Sequence, residues 1–214
     1  LASMGIYVFS RKVLQEALDN NMKDFGKEVI PALLGKAKLC SYIFEGYWED
    51  IGTIGSFWAA NLALADALPS FSFYEMDAPI YTNMRYLPPS KINQCDLSRS
   101  LLSDGCIISG KSIVHSVIGL RAKVGEGTEI EDSIIMGADY YEHGEADHPS
   151  GIPMAIGNNC VIKQAIVDKN VRIGDGVVIT PEGKPSDVQT DLYWMRDGII
   201  VIPKNTVIPP GTVL

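Results

Sequence analysis

Ile118-Gly119-Leu120-Arg121-Ala122-Lys123-Val124-Gly125-Glu126-Gly127-Thr128-Glu129-Ile130 places a branched aliphatic residue at every sixth position. The same beat returns at Ile156 and Ile162, at Ile173 and Ile179, and at Ile202, Ile208 and Leu214. A period of this kind marks a hexapeptide solenoid. Each aliphatic side chain points inward at one corner of a triangular rung, Gly, Asn or Asp takes the tight turn, and stacked rungs share one continuous core. The periodicity predicts a parallel β-helix from near Ile92 to Leu214.

Two stretches depart from the six-residue step. Met136 to Pro153 is rich in Tyr, Glu, His and Asp, and Pro181 to Asp197 contains Gly183, Pro185 and Trp194. Both read as loops ejected from a rung, where solenoids often carry ligand or partner contacts.

Upstream of the coil the chain does not repeat. Gly5-Ile6-Tyr7-Val8-Phe9 reads as a buried strand, and Ser10 is placed to cap a helix carrying Val13, Leu14, Ala17 and Leu18. Val29, Ile30, Leu33 and Leu34 suggest a second amphipathic turn interrupted by Pro31, and Leu39 to Phe44 suggests another strand. The loop Glu45 to Thr53 then opens a helix through Phe57, Trp58, Ala60, Asn61, Leu64 and Ala65. Strand, helix, strand, helix is the grammar of an α/β layer, here with too few strands for a whole sheet. Residues 1–67 therefore read as the tail of an α/β domain. Pro69, Pro79, Pro88 and Pro89 mark 68–91 as an extended linker, and 92–214 form the coil.

Composition narrows the function classes. With 214 residues, 46% hydrophobic and 21% charged, the chain is ordinary globular material. A net charge of −8 argues against nucleic acid or an anionic membrane as a partner, because both need a basic face. No apolar run reaches the roughly 20 residues of a membrane span. Cys40, Cys95, Cys106 and Cys160 lack the close pairing of metal sites and are expected as buried, reduced thiols. That points to the cytoplasm or a plastid stroma.

Several residues are candidates for chemistry. Trp48-Glu49-Asp50-Ile51-Gly52-Thr53 places an aromatic and two carboxylates between a strand and a helix, the position at which open α/β sheets bind ligands. Asp50 suits Mg²⁺ as a hard oxygen donor, and equally suits the cap of the following helix. Ser3 and Tyr7 would share one face of the first strand, and Asp24 stands at a helix start. In an acidic coil Lys169, Arg172 and Lys204 stand out, and two lysines on neighbouring rungs would clamp a multiply charged phosphate ester. His115, His143 and His148 are not at metal spacing; His115 alone would suit the catalytic histidine of a hexapeptide acyltransferase.

In order along the chain come Ala2-Ser3-Met4-Gly5-Ile6-Tyr7-Val8-Phe9, Asp24-Phe25-Gly26-Lys27-Glu28-Val29-Ile30-Pro31 and Tyr47-Trp48-Glu49-Asp50-Ile51-Gly52-Thr53. Pro79-Ile80-Tyr81-Thr82, Arg85-Tyr86-Leu87-Pro88-Pro89-Ser90-Lys91 and Met136-Gly137-Ala138-Asp139-Tyr140-Tyr141 follow, then Ile166-Val167-Asp168-Lys169-Asn170 and Gly198 to Lys204. Together these motifs resemble the C-terminal half of the ADP-glucose pyrophosphorylase family, across essentially the whole chain.

The resemblance implies an α/β nucleotidyltransferase domain followed by a left-handed parallel β-helix. It implies an enzyme that uses Mg²⁺, ATP and glucose 1-phosphate to form ADP-glucose and pyrophosphate, for glycogen or starch synthesis. It places sugar-phosphate contacts at Ser3, Tyr7, Asp24, Phe25, Trp48 and Asp50, with Asp50 one of two aspartates on Mg²⁺. Regulatory contacts to a phosphorylated effector fall on Lys169, Lys204 and Arg85, in a homo- or hetero-tetramer. Asn83, Met84 and Gln164 depart from the common pattern, which leaves the effector's identity open. The family's Gly-rich nucleotide loop would precede Leu1, so these residues alone are not expected to catalyse. A non-catalytic oligomerisation or regulatory module and a hexapeptide acyltransferase are the competing readings.

Overall fold

The computed structural model describes residues 3–142 and 148–214. They form two compact units, Leu1–Trp48 and Glu49–Leu214.

The second unit contains the coil, wound as three parallel faces. One stacks Asp96–Ser98, Ser112–Val114, Glu129–Glu131, Val161–Lys163 and Val178–Ile179. The second stacks Leu101–Leu102, Val117–Ile118, Ile134–Ile135, Ala165–Val167 and Ile199–Ile202. On the third, Lys91–Ile92, Ile107–Ile108 and Lys123–Val124 continue through a bridge at Ile156 to Arg172–Ile173 and Val207–Ile208.

Register puts like on like. Ile113 pairs with Ile130, Ile130 with Ile162 and Ile162 with Ile179. Ile118 pairs with Ile135, Ile135 with Val167 and Val167 with Ile202. A one-residue slip would turn each column outward, so the burial pattern enforces this register. The residues of the six-step beat, from Ile118 to Leu214, are all 6% exposed or less. Ile92 and Leu97, on the first rung, remain largely exposed.

Corners between faces require left-handed backbone. Between the first and second faces the column runs Arg99, His115, Asp132 and Gln164, each with φ between 44° and 49°. Between the second and third, Asn170 and Asn205 occupy the turn, at φ 61° and 63°. Asn and Asp tolerate this conformation, as expected; Arg, His and Gln do so here because the stacked rungs on either side over-determine the turn. Beside the first corner runs a ladder of buried hydroxyls. Ser116 Oγ donates to Val114 O and accepts from Ser133 N, and Ser133 Oγ donates to Glu131 O and accepts from Ala165 N. These side chains satisfy groups that the strand ladders leave open.

The second departure from the period is not an irregular loop. Val188–Gln189 and Trp194–Arg196 form an antiparallel hairpin that adds to Ile199–Ile202 and covers the edge of the second face. The two-residue turn that joins Trp194–Arg196 to Ile199–Ile202, Asp197-Gly198, has positive φ at both positions, the twist that antiparallel strands require. In the first departure, His143 lies outside the described residues. The flanks are fastened: Tyr141 donates its hydroxyl to Gly105 O at 2.8 Å, and Arg172 pairs with Glu142 at 2.6 Å while donating to Ile152 O.

A helix, Ile54–Ala63, lies on the outside of the second face. Thr53 caps it in a reciprocal box with Ser56, so Asp50 is not the helix cap. Leu62 packs with Ile134, Ile166 and Ile199, and Phe57 and Trp58 border this second core. The second face is therefore covered on both sides, which accounts for its adjacent buried pairs, Ile134-Ile135 and Ile166-Val167.

In the first unit, a helix Arg11–Leu18 follows Ser10, whose backbone is extended but whose side chain makes no capping bond. A wide helical turn, Phe25–Val29, runs into Ile30–Leu33, with Pro31 tolerated in the first turn. Two expectations fail here. Gly5–Phe9 and Leu39–Phe44 have no ladder among the described residues, and Val8 and Tyr42 are at least 90% exposed. A strand exists only with a partner, and an apolar alternating segment without one remains extended chain. Cys40 is likewise exposed, against expectation, while Cys106 and Cys160 are buried and all four thiols are free.

Candidate functional site

Four of the expected sugar-phosphate residues come together in the first unit. Ser3 Oγ and the Tyr7 hydroxyl are 2.9 Å apart, and the Tyr7 ring stacks on Phe25 at 6.0 Å and 21°. Phe9 completes the aromatic group at 5.9 Å from Phe25. Asp24 caps the wide turn through a 2.8 Å bond from Lys27 N, and Glu28 reaches back to Lys23 N and Asp24 N. A Cβ at Gly26 would lie 3.5 Å from Asp24 Oδ1 and 3.6 Å from the Tyr7 hydroxyl. The carboxylate and the phenol thus converge on the space that glycine leaves. Hydroxyl, phenol and carboxylate beside an aromatic stack are the donors and acceptors that read a polyol. Trp48 closes this unit and is 40% exposed.

Asp50 begins the second unit's own set. Its Oδ1 accepts from Gly52 N at 3.1 Å, a local turn that fixes the carboxylate ahead of the helix. One exposed carboxylate on a backbone-fixed turn fits Mg²⁺, which takes one or two protein carboxylates and completes its shell with water and phosphate oxygens. No group of three or more metal-ligating side chains occurs among the described residues.

The two coil lysines are neighbours in space. Lys169 precedes Asn170 and Lys204 precedes Asn205 at the same corner of adjacent rungs, where Asn205 N bonds Lys169 O. Both ammonium groups meet one carboxylate that the sequence reading did not single out. Lys169 Nζ lies 2.9 Å from Asp139 Oδ1, and Lys204 Nζ lies 2.7 Å from Asp139 Oδ2. The lysines, Lys204 first, hold the Asp139 carboxyl well below the usual carboxylate range, and Asp139 in turn raises Lys204. Arg85 donates to Asn83 O at 2.8 Å, and among the described residues no hydrogen bond or ion pair joins it to the lysine pair.

His115 is engaged with carboxylates. Its Nδ1 is 2.5 Å from Asp132 Oδ1 on the next rung, and its Nε2 is 3.4 Å from Asp66, just past the helix. The 3.4 Å approach is too poorly directed to be a hydrogen bond, and Nε2 is buried without one. Packing at a stacked corner explains this imidazole. A groove of about 460 Å³ between Glu131, Lys163 and Glu182 touches none of the expected contacts.

Two family models match in the order that the fold shows. A nucleotidyl transferase model covers residues 1–67, and the GLGC left-handed parallel beta-helix domain covers residues 85–213. The chain is similar to a glucose-1-phosphate adenylyltransferase small subunit, chloroplastic/amyloplastic, of Triticum aestivum, at 46% identity over 226 aligned positions. The match takes in all of this chain and 48% of the relative, so the chain spans about half the length of the curated relative it matches. Carrying the tail of a nucleotidyl transferase domain ahead of a left-handed coil, the chain belongs to the GLGC β-helix family and is a homologue of glucose-1-phosphate adenylyltransferase.

Proposed function

We propose that the protein containing this chain is a glucose-1-phosphate adenylyltransferase, converting ATP and glucose 1-phosphate to ADP-glucose and pyrophosphate in glycogen or starch synthesis. The observation that supports this most directly is the Ser3, Tyr7, Asp24 and Phe25 cluster, set in a chain 46% identical throughout to such an enzyme. Residues 1–67 belong to the catalytic domain, 68–91 to a linker and 92–214 to the regulatory and oligomerisation coil. The assembly is a homo- or hetero-tetramer.

In this reading Asp24 and Ser3 orient sugar hydroxyls, Tyr7 and Phe25 form the apolar wall and Trp48 adds a further contact. Asp50 is the one residue here that would hold Mg²⁺, which supplies charge neutralisation on the phosphates. Catalysis is positioning without a covalent enzyme intermediate, since the sugar phosphate is itself the nucleophile. The activity belongs to the longer protein, whose nucleotide loop lies outside these residues. Lys169 and Lys204, with Arg85, bind a phosphorylated effector.

The test is ADP-glucose and pyrophosphate formation by the full-length protein with Mg²⁺, ATP and glucose 1-phosphate, before and after Asp50→Asn. A fall in kcat of about a hundredfold or more is expected if the carboxylate supports transition-state charge. Wild-type turnover by the variant would remove Asp50 from the site. No ADP-glucose from the unaltered protein would favour the non-catalytic module.

A further inference from the structure

The place for an anion on the coil lysines is filled by a side chain of the protein itself. Asp139 accepts from Lys169 Nζ, from Lys204 Nζ and, at 3.1 Å, from Asn170 Nδ2. Three side-chain donors from two adjacent rungs therefore converge on one carboxylate. The main chain of Asp139 is anchored separately, its N–H donating to Asn170 Oδ1 at 2.8 Å.

We propose that Asp139 is a resident stand-in for a phosphate-monoester dianion: Lys169, Lys204 and Asn170 Nδ2 form the receptor, and the ligand enters by displacing the Asp139 carboxylate. This rests on the effector reading above and adds Asp139 and Asn170 to it.

The chemistry is a competition between anions. A carboxylate brings one charge and two oxygens, whereas a phosphate monoester above a pH of about 6 brings close to two charges and three terminal oxygens. Two ammonium groups and one amide match the latter better. Because Asp139 is tethered, its effective concentration at the lysines is high, and a free monocarboxylate gains nothing over it. The site thereby rejects monoanions and accepts dianions. Rotation about the Asp139 side chain releases the lysines without breaking the backbone bond to Asn170, whose amide stays in place for the incoming anion. Asp168, whose Oδ1 accepts from Lys169 N, stands beside the pair and helps keep Lys204 protonated.

Release of the carboxylate also has a mechanical consequence. Asp139 lies between Gly137, where the chain leaves the coil at φ 79°, and Tyr141, whose hydroxyl is tied to Gly105 O. Ligand binding exchanges one of this segment's anchors to the two outer rungs for a contact with the ligand.

The experiment is calorimetric titration of the full-length protein with inorganic phosphate at pH 8, with acetate as the monoanion control. Asp139→Asn is expected to bind phosphate roughly three- to tenfold more tightly than wild type, since exposed ion pairs are individually weak. Acetate is expected to give no heat with wild type. Asp139→Ser serves the same comparison if the Asn variant loses its circular dichroism. Equal or weaker phosphate binding by both variants, with binding abolished in Lys169→Gln/Lys204→Gln, would overturn the stand-in and leave the effector reading intact. Wild-type phosphate binding by the lysine double variant would overturn both.

Discussion

Trp58 donates its indole N–H to the main-chain carbonyl of Asp132 at 2.8 Å, and Asp132 is the corner residue whose carboxylate meets His115. The helix Ile54–Ala63 is thus joined to the coil by a directed bond as well as by apolar packing. Trp58→Phe keeps most of the ring contact and removes the donor. The expected loss is about 1 kcal/mol of unfolding free energy, read from the urea midpoint at unchanged slope. Leu62→Ala, which opens a hole among Ile134, Ile166 and Ile199, should cost about 3 kcal/mol. A loss for Leu62→Ala no larger than that for Trp58→Phe would mean that the helix is only loosely seated.

Ser133→Ala tests the buried hydroxyl ladder. The hydroxyl is the acceptor for Ala165 N and a donor to Glu131 O, and Ser133 is fully buried. Removing it strands an amide in the interior, and the expected cost is about 2 kcal/mol, more than a neutral hydrogen bond is usually worth. Amide exchange at Ala165 should accelerate selectively.

Two glycine substitutions should differ in size. Gly198→Ala enters a left-handed turn with open space around the new Cβ, its nearest neighbour being Gln164 Nε2 at 3.9 Å. Backbone strain alone predicts a loss of about 1 kcal/mol. Gly137→Ala adds to the same strain a collision with the backbone of Gly119 and Leu120. Its thermal midpoint should fall clearly below that of Gly198→Ala.

The Arg172–Glu142 pair should give an acid-side signature. Arg172 and the main-chain N–H of Met154 hold Glu142 below its ordinary carboxyl value. A carboxyl lowered in the folded state stabilises above its unfolded value, near 4.3, and the contribution is lost as pH falls through the lower folded value. Arg172→Met removes this step and leaves a carboxylate that is only 11% exposed without its partner, for a loss of about 3 kcal/mol at pH 7. Equal stability differences at pH 7 and pH 3 would contradict the assignment.

Much of the coil was legible because its signal is local. Ile118, Val124 and Ile130 lie six apart whatever the rest of the chain does, and a periodic apolar column has few ways to be buried. The lysine pair was legible for the same reason, since Lys169-Asn170 and Lys204-Asn205 occupy equivalent positions in their rungs. Asp139 was not, because it stands where the period breaks. Gly5–Phe9 and Leu39–Phe44 show the opposite error: their alternation describes a strand's surface but supplies no partner. Pro181 to Asp197 carried too many turn residues to suggest that it would return as a hairpin on Ile199–Ile202.

By itself, then, the sequence determined the regular winding of the hexapeptide coil and the order of the motifs that place this chain in its family. Both are properties of neighbours along the chain. Only the tertiary structure decided which corners face one another. Stacking brings Asp139 between Lys169 and Lys204, His115 onto Asp132, and a helix of mostly apolar residues onto the outer side of the second face. Asp139 stands in an insertion that interrupts the period and erases the spacing that would have announced its lysine contacts, whereas the pairing of His115 with Asp132 exists only once consecutive rungs stack.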